Sequence, residues 1–113
     1  MRITIPDFRA PSRNTTNRKH WSAYSSQLKE IASLIGGYAT DRKLISPAKV
    51  VITASYATKK SVDVSNIDDK IVVDALMTIG ILKNDNPIEN PEVVKRVLIN
   101  TGKNELVVDV IQL

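Results

Sequence analysis

The chain has 113 residues, 42% of them hydrophobic, a formal net charge of +4 and no cysteine. That length suits one domain, 1–113, and the hydrophobic share is too high for a disordered chain. Absence of cysteine excludes disulfides, thiol nucleophiles and zinc-thiolate sites. No apolar run approaches the roughly 20 residues that span a bilayer.

The N-terminus, MRITIPDFRAP, lacks the apolar core of a signal peptide. A cytoplasmic protein without a membrane partner is therefore expected, and a phage or prophage origin is compatible with it. Charge is unevenly divided along the chain. Residues 1–60 hold eleven Lys and Arg against three Asp and Glu, whereas residues 61–113 hold five against nine. A basic half is what contact with phosphate backbones requires, although basic surfaces also serve other partners.

In chain order, Arg2–Pro6 alternates Ile3 and Ile5 with polar neighbours, a short strand stopped by Pro6. Residues 7–19 are turn formers and cations, and read as a loop carrying Arg9, Arg13, Arg18 and Lys19. From His20 to Ile35, Trp21, Tyr24, Leu28, Ile31, Leu34 and Ile35 recur at helical spacing, with Gly36-Gly37 as the expected stop. Residues 38–47 connect. Lys49–Ala57, rich in Val, Ile, Thr and Tyr, reads as a strand with a basic exit through Lys59 and Lys60.

Asn66 is then the expected N-cap, with Asp69 at the third helical position as in a capping box. Ile67, Ile71, Val72, Ala75, Leu76 and Ile79 make the apolar stripe of a second helix that Gly80 ends. After a loop through Asp85 and Pro87, Val93–Asn100 and Glu105–Leu113 read as a hairpin closed by Thr101-Gly102-Lys103-Asn104. The order β-α-β-α-β-β predicts an α+β domain with a mixed sheet packed by two helices.

No phosphate-binding glycine loop, dinucleotide fingerprint or paired-histidine metal motif is present. His20 is the sole histidine, and a surface or phosphate-contact role suits it better than catalysis. Among the aromatics, Trp21 and Tyr24 fit the first helix's buried stripe. Phe8 stands in the basic loop, where packing is the simpler role.

The stretch from Asp63 to Asp85 is more informative, holding five of the chain's aspartates. Asp63 precedes the second helix and Asp85 follows it. About twelve helical residues separate them, or roughly 18 Å if each stays at its own end. Lys70 and Asp74 stand at i and i+4, the spacing of an exposed ion pair. Asp68 and Asp69 suit the positive end of the helix dipole, with Asp68 expected in solvent. On physics alone, helix-surface charge is the favoured reading of these acids and a metal site the other.

The run D-V-S-N-(3)-K-(3)-DAL-(3)-G-(4)-D resembles the core of the RusA family of Holliday junction resolvases. That family carries a D-x-D-N-x-x-K segment entering a helix that contains DAL, then a glycine and a downstream acidic pair. Ala10 to Asn14, A-P-S-R-N, resembles the family's P-P-S-x-N element after its first strand. The likeness covers most of the chain in order and length. It implies a small α+β homodimer that binds branched DNA and resolves four-way junctions by paired phosphodiester hydrolysis with Mg²⁺, or Mn²⁺ in its place.

By the same resemblance, Asp63 and Asp85 match metal carboxylates, Lys70 the essential lysine and Asn66 the motif asparagine. Arg13, Asn14, Arg18, Lys19, Lys59, Lys60 and Asn66 would face DNA. The chain departs from the pattern in three places: Ser65 stands where the second motif aspartate should be, three residues rather than two separate Asn66 from Lys70, and Asn84 replaces the first acid of the downstream pair. A full carboxylate set would need Asp69 or Asp74 as substitute. These departures leave a second expectation open, a junction-binding relative without nuclease activity. A basic interaction domain with no DNA role is the third.

Overall fold

The computed structural model describes residues 1–13, 21–58, 64–83 and 91–113. Its elements are β1 (Arg2–Pro6), α1 (Trp21–Tyr38), β2 (Ala48–Ser55), a 3-10 turn (Val64–Asn66), α2 (Asp69–Thr78), β3 (Glu92–Leu98) and β4 (Glu105–Gln112). The domain is α+β, with a mixed four-stranded sheet and two helices, as the sequence predicts. No helix of the described residues is long and apolar enough to cross a membrane.

The strand order is β1-β4-β2-β3. β4 runs antiparallel to both β1 and β2, while β3 runs parallel to β2. The predicted hairpin of the last two strands is therefore not formed. The turn at Thr101–Asn104 exists but carries the chain over the end of β2. There Thr101 and Gly102 donate their backbone N–H groups to the carbonyls of Tyr56 and Ala57, and Asn104 Oδ1 accepts from Ala57 N–H at 3.1 Å. Hydrophobicity explains the choice. Most of β2 is buried, so it takes an interior position, and the charged β3 (EVVKRVL) goes to the edge.

One face of the sheet meets the helices. Ile3 and Ile5 of β1, Val50, Ile52 and Ala54 of β2, and Leu106, Val108 and Val110 of β4 alternate inward and are essentially inaccessible. Ile31 and Ile35 of α1 and Ile71, Val72, Ala75 and Leu76 of α2 complete the core from the other side. Ile81 and Leu82, just beyond α2, are buried as well, a continuation that the loop reading of this region missed.

Two local expectations are corrected. Gly36-Gly37 does not stop α1, which runs on to Tyr38. Instead the missing side chain at Gly36 admits Arg42, whose guanidinium donates to the Gly36 carbonyl at 2.9 Å; a Cβ there would lie 2.8 Å from Arg42 Nη2. The N-cap of α2 is Asp68, not Asn66. Val64–Asn66 is taken up in the 3-10 turn, so the helix begins later than the capping-box reading places it, with Asp69 as its first residue. The other end follows expectation: Gly80, at φ 83°, supplies the left-handed residue that closes the helix.

Candidate functional site: an ion cluster at the start of α2

The loop after β1 docks on the first turn of α2. Asp68 N–H donates to the Pro11 carbonyl at 2.8 Å, and Ser12 bridges Ile67 as a strand-like pair. Arg13 Nη2 then donates to Asp69 Oδ1 at 2.6 Å. Lys95 Nζ reaches the same oxygen at 3.4 Å. Lys95 can do so because its position in β3 puts it on the helix-facing side with Val93 and Val97, its alkyl stem along apolar surface and its charge at the end.

Asp69 is thus the centre of a three-charge cluster. Burial pushes its carboxyl up, but the Arg13 hydrogen bond, a backbone hydrogen bond and the charges of Lys95 and Arg13 outweigh that, and the net shift is downward. Its neighbour Asp68 is 4% exposed, not solvated as the sequence reading expects. Asp68 Oδ1 accepts from Ile71 N–H at 3.2 Å and so closes the open end of the helix.

Asp74 serves a different contact. The Tyr24 hydroxyl of α1 donates to Asp74 Oδ2 at 2.8 Å, tying the two helices together. Burial, then this bond, holds the Tyr24 hydroxyl well above the usual phenol range. Among the described residues Lys70 and Asp74 form no ion pair: Asp74 turns to α1, and Lys70 is exposed on the first turn of α2. Asn66 sits half-buried in the 3-10 turn. The sequence-predicted residues Asp63, Asp85, Asn14, Arg18, Lys19, Lys59 and Lys60 lie outside the described residues, as do His20 and the side chain of Trp21.

In chain order Asp63 precedes α2 and Asp85 follows it, adjoining the described residues Val64 and Lys83. Asp69 and Asp74, the two candidate substitutes for the missing motif acid, are five residues apart on one helix. That separates them by about 7.5 Å along the axis and about 140° around it. One faces Arg13 and Lys95, the other Tyr24. Mg²⁺ takes several oxygens in a compact octahedron. This pair does not fit one ion between them, and no group of three or more His, Cys, Asp or Glu side chains converges among the described residues.

Two contributors escaped the sequence reading. The sequence did not single out Lys95, because both sides of the strand alternate alike, Lys95 between Val93 and Val97 and Arg96 between Val94 and Leu98. Tyr24 was assigned to the core stripe by its ring alone, although a half-buried hydroxyl needs an acceptor nearby. No protein-family model matches the chain, and no curated protein matches it.

Proposed function

We propose that the chain is a RusA-type endonuclease that resolves four-way DNA junctions with a divalent metal, Mg²⁺ or Mn²⁺. The observation that supports this reading best is a contact. The A-P-S-R segment at residues 10–13 and the acidic segment entering α2 are remote in sequence, yet they are joined by the Pro11–Asp68, Ser12–Ile67 and Arg13–Asp69 contacts. These are the two stretches that carry the family likeness, and a nuclease needs its phosphate-contacting cations beside its acids.

In this reading Asp63 and Asp85 hold the metal and Lys70 stabilises developing charge. Asp69 and Asp74 keep the loop and α1 in place. Paired nicks call for a homodimer, because a four-way junction is nearly two-fold symmetric. Cleavage of synthetic four-way junctions in Mg²⁺ or Mn²⁺ tests the proposal. The wild type should give paired nicks, and Asp63→Asn and Asp85→Asn should abolish cutting while junction binding survives.

The second reading, a junction-binding relative that does not cut, has its own support. Ser65 replaces a motif acid, and Asp69 is already engaged by two cations. Tight junction binding without cleavage in either metal would select it.

A further inference from the structure

A cavity of about 320 Å³ lies between the loop after β1 and one flank of α1. Its volume falls at the small end of the range for ligand pockets. Phe8 and Arg9 line it from the loop; Gln27, Glu30, Ile31 and Leu34 line it from the helix, at the i, i+3, i+4 and i+7 spacing of one face. The cavity adjoins the ion cluster, for Pro11 also lines it and accepts the Asp68 N–H on its carbonyl.

One buried atom of a residue that lines this wall has no partner in the fold. Gln27 Oε1 is buried and has no hydrogen-bond partner among the described residues. A buried acceptor left unmade is destabilising, so such an atom calls for a partner from outside the chain. The terminal amide torsion of glutamine is soft enough to turn its oxygen toward an occupant.

The lining specifies the occupant's chemistry. Phe8 contributes an aromatic ring and Ile31 and Leu34 aliphatic side chains, a lining suited to a flat body. Gln27 Oε1 and the Glu30 carboxylate are acceptors and ask for N–H donors. Arg9 asks for negative charge. A hydrocarbon would leave Gln27 unsatisfied, and an inorganic phosphate would meet the like charge of Glu30.

We propose that this cavity binds an unpaired guanine nucleotide. Its ring stacks on Phe8, its adjacent N1–H and N2–H₂ groups donate to Gln27 and Glu30, and its phosphate pairs with Arg9. That the nucleotide comes from branched DNA rests on the function proposed above; a free guanine nucleotide carries the same chemistry.

The test uses the full chain and four-way junctions with one extra nucleotide at the branch point: guanine, thymine or an abasic residue. An unpaired guanine should tighten binding at least about fivefold over the abasic junction, with thymine between them. Gln27→Leu should remove that preference and raise the thermal midpoint, because it deletes the orphaned acceptor. Glu30→Gln, at an exposed position, gives a second variant if the first fails to fold, and should shrink the preference.

Equal affinity for the guanine and abasic junctions overturns the proposal, as does a preference that both variants retain. If the wild type binds no junction, the DNA reading falls and guanosine monophosphate decides the cavity. A thermal shift with guanosine monophosphate that Gln27→Leu abolishes upholds a free-nucleotide site, and no shift overturns it.

Discussion

Asp69 shows how much one carboxylate can organise. Its Oδ1 takes Arg13 from the segment after β1 and Lys95 from an edge strand, so three segments meet at one atom. Because its pKa is lowered on folding, the carboxylate contributes stability above its unfolded pKa and loses it as pH falls through the folded value. Arg13 is nearly half open to water (45% side-chain exposure), which screens its share. Asp69→Asn is therefore expected to cost about 1 kcal/mol at pH 7. The gap from wild type should close as pH falls below about 4. Urea denaturation at a series of pH values checks this, and a gap that ignores pH would assign the loss to shape rather than charge.

At the scale of elements, the glycine pair in α1 makes a sharp contrast. Gly37 has open space where a Cβ would go, whereas Gly36 faces the Arg42 guanidinium. Gly37→Ala should stabilise by up to about 1 kcal/mol through helix propensity alone. Gly36→Ala gains the same propensity but displaces Arg42 from the carbonyl it caps, a hydrogen bond worth about 1 kcal/mol, and should come out near neutral. Thermal midpoints of the two variants read the difference directly. Equal gains would mean that Arg42 contributes nothing to the end of α1.

Element types were largely legible for a physical reason. The alternation of Ile3 and Ile5, the Val and Ile run of β2, and the Ile71-Val72-Ala75-Leu76 stripe are local periodicities that each element imposes on its own buried face. Boundaries were less so. The start of α2 depended on whether Asn66 or Asp68 capped it, and both residues are good caps. Burial of Asp68 against Pro11, a contact across 57 positions, decided it.

For the whole molecule, the fold changes what the charge asymmetry means. Among the described residues, strands from the basic first half and the acidic second half alternate across the sheet in the order β1-β4-β2-β3. Arg2 pairs with Asp109 across β1 and β4, and Arg13 with Asp69. Part of the positive charge counted along the sequence is thereby neutralised in place.

The proposed junction contacts come from Arg13, Arg18, Lys19, Lys59 and Lys60, with Arg13 half committed to Asp69. Four to five phosphate contacts predict a loss of roughly two to three orders of magnitude in junction affinity from 50 to 200 mM salt. Anisotropy titrations across that range test it. A loss under tenfold would remove these cations from the interface and favour a partner other than DNA.

The sequence by itself determined the α+β class, the two amphipathic helices, most of the core and the spacing of residues that carries the RusA likeness. The class, the helices and the core are properties of neighbours within about a dozen residues, where periodicity and turn chemistry act. Only the tertiary structure decided the rest. It placed β2 between β3 and β4 where the local pattern suggested a hairpin, because burial ranks strands across the whole sheet rather than along the chain. It likewise drew Asp69 to Arg13 and Lys95 and Asp74 to Tyr24, since a side chain's partner is set by what packs beside it, and no spacing within α2 records that.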